Sequence, residues 1–262
     1  VTKTYSPLLA GLALEEQARF HIVADGGAKR RGFGTHPYST ELEAWPQADR
    51  FTYARALAEF FYEELKVRRH EIVGFPKDLD EAAIDSLKQA FLARMDAIGP
   101  AGWGSEVPQT GKFVFSLIPP GLEKTLGRIF VYDVGPKVTL DMPELRKRKA
   151  VPLAFTRAVW ERFKQRFGEP RPGFYTVSGP GFVDVAITSK VEGVAEILEK
   201  YVYPHLDPEK PVLFVIGGDS ANDIPTFGLE IPKRFKHAAR LLVFLDHDAS
   251  YAELLPSEVW LA

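Results

Sequence analysis

Asp219, Asn222 and Asp223 place three oxygen-bearing side chains within a short segment of the chain. Carboxylate and amide oxygens are the ligands that a hard cation such as Mg²⁺ prefers in proteins. A turn rich in Asp and Asn also has a purely structural explanation, because these side chains hydrogen-bond to the neighbouring backbone. The residue types are therefore compatible with a magnesium site and with an ordinary turn.

The segment that carries these residues follows an apolar run at 212–216, which ends in Gly217 and Gly218. The run is rich in β-branched residues, and its length suits a strand buried on both faces of a parallel sheet. The glycines allow the backbone to turn sharply after it. Side chains at the C-terminal end of such a strand lie where open α/β sheets bind ligands.

Two other segments carry residues that could join this site. A second apolar run at 20–24 ends in Asp25, and we expect it to be a buried strand. Lys190 opens an amphipathic pattern that predicts a helix, and a lysine there could stabilise an anion. The basic, glycine-rich residues 29–34 could cradle a phosphate, although a solvated loop is the more ordinary interpretation.

Composition sets the class of protein. The chain has 262 residues, enough for a large core with a smaller domain, and its net charge of −2 provides no field that would recruit nucleic acid or an anionic membrane. It contains no cysteine, which excludes disulfides and cysteine-ligated metal sites. No apolar run reaches the roughly 20 residues of a membrane span. The first residues lack the basic leader and long apolar core of a secretory signal, so we expect a cytoplasmic protein.

The pattern of helices and strands changes in the middle of the chain. Within 77–188 the periodicity predicts the order helix–strand–strand–helix–strand–strand, which is typical of an α+β module. We expect helices at 51–67, 79–97 and 155–167, and from Lys190 onwards. We expect further strands at 70–75, 112–118, 128–134, 173–177, 182–187 and 241–245.

Residues 218–223, which read Gly-Asp-Ser-Ala-Asn-Asp after an apolar strand, resemble the fourth motif of the haloacid dehalogenase-like phosphatases. The similarity is to the sugar-phosphatase branch, which includes the sucrose-phosphate, mannosyl-phosphoglycerate and Cof-type phosphatases. Residues 188–190, Thr-Ser-Lys, resemble the third motif, although this chain has Val191 where the family usually has glycine. The order of elements resembles a member whose cap is inserted between the second and third motifs.

The resemblance implies an α/β fold with a doubly wound, Rossmann-like parallel core and an inserted α+β cap. The core would span 1–76 and 189–262, and the cap 77–188. The implied activity is Mg²⁺-dependent hydrolysis of a small phosphomonoester, such as a sugar phosphate, with a small phosphorylated metabolite as the partner. Asp25 and Lys190 would be catalytic, and the metal ligands would be Asp25, Asp219, Asn222 and Asp223.

The first motif of the family, Asp-x-Asp-Gly-Thr, can be aligned with this chain in two registers. If Asp25 and Gly26 match the second Asp and its glycine, Val23 occupies the position of the nucleophile, and no aspartyl-phosphate can form. If Asp25 matches the nucleophile, Gly27 occupies the position of the general acid/base, whose loss typically costs about 10²–10⁴-fold in rate. The alternative function is therefore that of a pseudophosphatase, which would bind a ligand or a protein partner without turnover. A hydrolase that uses a metal-bound water is a third possibility.

Overall fold

The structure, a computed structural model, describes residues 9–24, 27–103, 113–133, 136–168, 173–245, 251, 254–255, 257 and 259–261. Its strands are β1 His21–Ala24, β2 Lys29–Gly32, β3 Tyr38–Glu41, β4 Phe113–Ser116, β5 Phe130–Asp133, β6 Lys137–Asp141, β7 Tyr175–Gly179, β8 Phe182–Ala186, β9 Val212–Gly218, β10 Ala238–Phe244 and β11 Trp260–Leu261. Its α-helices are α1 Leu14–Gln17, α2 Gln47–Arg68, α3 Glu81–Gly102, α4 Glu123–Leu126, α5 Pro143–Lys147, α6 Leu153–Phe167 and α7 Lys190–Ile197. The protein is therefore mixed α/β.

The chain divides into two compact units, one formed by Val1–Glu43 with Thr188–Ala262 and the other by Ala44–Ile187. The sequence placed the first boundary near residue 76, whereas the division falls before α2. Helix α2 packs against α3, α6 and the strands β5 and β6, so its apolar stripe is buried within the second unit. Helix periodicity identifies the buried stripe but does not identify its partner, which explains the difference.

The second unit is a five-stranded antiparallel sheet in the order β4-β5-β6-β8-β7, with α2 and α6 among the helices packed against it. Its core is fully buried around Leu57, Phe61, Met95 and Phe155. Strand β6 was not predicted. It is only five residues long, and the turn signal Gly135-Pro136 that directly precedes it was not used to separate it from the strand before.

Asp133, at the end of β5, is a buried carboxylate that links three elements of this unit. It accepts hydrogen bonds from Nη1 of Arg50 on α2, at 2.8 Å, and from Nε1 of Trp103 after α3. Asp133 is only 2% exposed, so both donors are needed to compensate for removing its charge from water.

The first unit contains the only parallel strand pairs among the described residues, in a three-stranded sheet of order β11-β10-β9. Strand β9 forms as the sequence predicts, and it pairs with β10 along its full length. One prediction for it is wrong. Leu213 and Val215 are 60% and 62% exposed, so only one face of β9 is covered. An apolar run indicates the capacity for burial, but the neighbouring elements decide whether both faces are covered.

The expected doubly wound parallel core is not found in the described residues. Strand β1 pairs antiparallel with β2, which in turn pairs antiparallel with β3, to form a separate sheet. The basic residues 29–32, expected in a loop, form β2. Strands β1 and β2 are close in sequence. They can pair antiparallel through a short connection, whereas a parallel pair would require a crossover connection.

Residues 70–75, expected to be a strand, instead begin within a 3₁₀ turn, Arg69–Glu71, that extends α2. Gly74 then adopts a positive φ of 80°, which interrupts an extended segment. Of the helices in the described ranges, none is long and apolar enough to cross a membrane.

Candidate functional site

Asp223 organises the turn that follows β9. One of its carboxylate oxygens, Oδ2, accepts hydrogen bonds from the backbone N–H of Asp219 at 3.1 Å and from the N–H and hydroxyl of Ser220 at 3.2 and 2.9 Å. The side chain is 7% exposed. A Cβ atom on Gly218 would lie 2.4 Å from the Cβ of Asp223, so the turn closes only with glycine at the end of the strand.

Lys190 supplies the cation that faces this carboxylate. Its Nζ donates to the other oxygen of Asp223, Oδ1, and forms an ion pair with it. Lys190 is the first residue of α7, and Ser189 caps the helix by accepting a hydrogen bond from the N–H of Glu192 at 3.2 Å. The cap fixes where the helix begins, and so it directs the lysine from the first turn towards the end of β9.

The pKa of Asp223 reflects this environment. Burial by itself would raise the pKa, but the hydrogen bond and the charge of Lys190, together with the donors from Asp219 and Ser220, lower it below the ordinary value. The carboxylate is therefore ionised at neutral pH, and it holds the ammonium group of Lys190 in place.

The segment after β1 also packs against α7. A Cβ on Gly193 would lie 2.9 Å from Cγ1 of Val23 and 3.1 Å from Cα of Gly27, so the helix approaches this segment through a glycine. Gly27 has a φ of 106°, and a Cβ there would lie 2.2 Å from the carbonyl oxygen of Ser189. Val23, near the end of β1, and Gly27, directly after residues 25–26, are thus held beside the first turns of α7.

Arg30 on β2 fixes the same segment from the other side. Its Nε donates to the carbonyl oxygen of Gly27 at 3.1 Å, and its Nη1 pairs with Glu196 on α7. The side chain is buried. Arg30 therefore already has protein partners for its guanidinium group. This disfavours the hypothesis that Arg30 binds phosphate as part of a basic loop.

The structure brings some of the predicted site residues together and does not describe one of them. It brings Lys190 and Asp223 into contact and places Asp219 and Asn222 on the same turn. Asp25 lies outside the described residues, so its predicted roles as nucleophile and metal ligand stay predictions.

Mg²⁺, which the family resemblance implies, fits only part of the predicted donor set. Oδ2 of Asp223 accepts three hydrogen bonds within the turn, and Oδ1 accepts one from the ammonium group of Lys190, so both oxygens already have protein partners. Asp219 is exposed and Asn222 half-buried, and their oxygens have the chemistry that Mg²⁺ requires. In the described ranges, no three His, Cys, Asp or Glu side chains converge as a metal site would require. Asp219 and Asn222 are thus the residues of this turn that would hold the ion, with Asp223 positioning the turn.

Sequence reasoning missed Ser220 and Gly193. Ser220 supplies two of the donors that hold Asp223, and serine in a turn is too common to attract notice. Gly193 did leave a signal, because glycine inside a helix is about 1 kcal/mol less favourable than alanine and usually has a packing reason.

The site therefore consists of Lys190 at the N-terminus of α7, the buried carboxylate of Asp223 that holds it, and the exposed carboxylate of Asp219 on the same turn. Such a lysine can stabilise an oxyanion, and the helix dipole adds to its effect. Comparison of the chain with protein-family models and with curated proteins finds no match. The similarity to the haloacid dehalogenase-like phosphatases therefore rests on the motifs and on their arrangement.

Proposed function

We propose that the protein is a Mg²⁺-dependent phosphatase of the haloacid dehalogenase-like type, which hydrolyses a small phosphomonoester. The observation that carries the proposal is the ion pair between Lys190 and Asp223, because the lysine and the carboxylate come from the two motifs of the resemblance and are 33 positions apart in sequence. The pairing of β1 with β2, in a sheet separate from β9, departs from the parallel core of that family.

The packing of α7 supports a role for Asp25. Val23 and Gly27, on either side of residues 25–26, both approach Gly193, one turn after Lys190. We propose that Asp25 attacks phosphorus, so that a bond forms between its carboxylate oxygen and phosphorus while the ester P–O bond breaks. Water then attacks phosphorus, the bond between phosphorus and the Asp25 carboxylate breaks, and inorganic phosphate leaves. The leaving alkoxide takes its proton from solvent water, because Gly27 occupies the position of the general acid/base in this register.

In this proposal Lys190 is the residue that neutralises charge. It would hold the phosphoryl oxygens by donating the protons that Asp223 does not use, since an ammonium group has three donors. Asp223 would act as a positioning residue for Lys190. Mg²⁺, when bound, would screen the phosphate charge from the attacking carboxylate.

The test is phosphate release from a panel of phosphomonoesters in the presence of Mg²⁺, with the parent chain and the variants Asp25→Asn, Asp219→Asn and Lys190→Met. Asp78→Asn, an exposed carboxylate in the second unit, is the matched control. We expect release by the parent and the control and a loss of at least about 10²-fold in the three variants. Equal release by the parent, Asp25→Asn and Lys190→Met would refute the site.

A pseudophosphatase is the second candidate, and the position of Val23 favours it. The Val23 side chain, at the position of the nucleophile in the first alignment register, packs against α7 at Gly193, one turn after Lys190 in sequence. In this case the parent would release no phosphate but would bind inorganic phosphate through Lys190, and Val23→Asp would introduce measurable release. Both candidates would be contradicted if neither the parent nor Val23→Asp released phosphate and the parent did not bind inorganic phosphate.

A further inference from the structure

A cavity of about 270 Å³ lies within the first unit, between α7 and β9. Lys190 and Asp223 form its polar end, beside Gly217. Most of the remaining wall is apolar and includes Val194, Leu198, Phe214, Ile216, Leu229 and Ile231. One charged group with a largely apolar enclosure is the arrangement of a site for a small amphipathic ligand.

The polar end fits an anion. The ammonium group of Lys190 uses one donor on Asp223 and has capacity for further acceptors. Its side chain is 38% exposed, so a ligand can reach it. Lys190 also stands in the first turn of α7, where the helix dipole favours negative charge.

The apolar wall disfavours a sugar. Each hydroxyl group transferred there would lose its hydrogen bonds to water, and only an available protein donor or acceptor could replace them. Apart from Lys190 and Asp223, the lining has polar side chains at Thr226 and Tyr203, and Thr226 already donates its hydroxyl to the carbonyl of Asp223. A hydrocarbon or aryl group has no such requirement.

From this geometry we infer that the alcohol portion of the substrate is a compact apolar group, either aryl or short alkyl, which occupies the cavity while its phosphate binds Lys190. This inference rests on the proposed phosphatase function and replaces the sugar phosphate expected from the family resemblance. The cavity is slightly smaller than the range of about 300–1,000 Å³ that is usual for small-molecule sites, so it limits the group to a single ring or a short chain.

The first experiment measures kcat/KM for phenyl phosphate, butyl phosphate and glucose 6-phosphate with the full chain and Mg²⁺. Each methylene buried in an apolar site contributes roughly fourfold in affinity, so we expect the phenyl and butyl esters to exceed the sugar ester by at least about tenfold. Equal or higher kcat/KM for glucose 6-phosphate would overturn the inference and leave the proposed phosphatase intact.

Variants locate the effect in the cavity. Val194→Phe fills the space and should lower kcat/KM for phenyl phosphate by at least about tenfold, with little change in competitive inhibition by inorganic phosphate. Leu229→Ala enlarges the space and should shift the preference towards longer alkyl esters. Val67→Phe makes the same substitution at an exposed site of the second unit, and it should change neither value. An unchanged substrate preference in both cavity variants would overturn the inference.

Binding separates this inference from the failure of the proposed function. Calorimetric titration compares phenylphosphonate with methylphosphonate, neither of which is a phosphate ester. At least about tenfold tighter binding of phenylphosphonate, lost in Val194→Phe, supports the cavity even if no ester is hydrolysed. Equal affinities would overturn it, whatever the result of the turnover assays.

Discussion

Substitution of Asp223 should destabilise the first unit in a graded way that its hydrogen bonds predict. Asp223→Ala leaves two backbone N–H groups, a serine hydroxyl and the ammonium group of Lys190 without their acceptor. Removing one partner of a fully buried ion pair costs roughly 3–5 kcal/mol. Lys190 is 38% exposed and can turn to water, so we expect about 3 kcal/mol, the lower end of that range.

Two further variants grade the effect. Asp223→Asn keeps one acceptor oxygen for the donors of Asp219 and Ser220 but turns an amide N–H₂ towards Lys190, and we expect a loss of about 1–2 kcal/mol. Lys190→Met removes one of four donors and leaves the other three in place. We expect it to cost about 0.5–1 kcal/mol, as for a partly exposed ion pair.

Hydrogen exchange, measured by mass spectrometry on peptides from β9 and β10, reports the opening free energy of this unit directly. It is preferable to tryptophan fluorescence, because three of the four tryptophans, Trp45, Trp103 and Trp160, lie in the second unit and would dominate the signal of Trp260 in the first. Two results would refute the view that Asp223 holds the turn. One is a loss of opening free energy in Lys190→Met as large as that in Asp223→Ala, and the other is an opening free energy of Asp223→Ala within about 0.5 kcal/mol of the parent.

The pH dependence follows from the lowered pKa of Asp223. The folded pKa lies below the unfolded value near 3.8, so the contribution to stability is fully present above that value and is lost as the pH falls through the folded pKa. The parent should therefore lose more protection of β9 on acidification than Asp223→Asn does. Parallel acid profiles for the two proteins would contradict the assignment.

Three other substitutions test the packing. Gly218→Ala should disrupt the turn after β9 and reduce exchange protection there, whereas Gly217→Ala, whose Cβ meets its nearest atom at 3.9 Å, should be tolerated. Gly193→Ala should lower the thermal midpoint, because the added methyl group overpacks the contact with β1 at a cost of about 1–3 kcal/mol. Its control is Gly228→Ala, where no atom lies within 4 Å of the added Cβ. Equal thermal midpoints for the two variants would argue against close packing of α7. Asp133→Ala should destabilise the second unit by roughly 3 kcal/mol in urea, and a loss below about 1 kcal/mol would show that its donors find water instead.

The amino-acid sequence by itself determined the elements with strong local signals. The helical periodicity predicted α2, α3 and α6 to within a few residues, and the apolar spacing that begins at Lys190 predicted α7. The apolar, β-branched run predicted β9 and the turn after it. These features depend on propensity, capping and periodicity within one segment, so a single sequence carries them.

Tertiary structure alone decided which elements meet. The sequence contains an apolar run before Asp25 but nothing that selects its partner, and β1 pairs with β2 in a hairpin rather than with β9. The same limit applies to Asp223, which was predicted as a metal ligand. Its role as the acceptor for Lys190 and for the N–H groups of the turn depends on a distance between segments 33 positions apart. Burial, ion pairing and the shape of the cavity between α7 and β9 arise from packing, which local patterns do not encode.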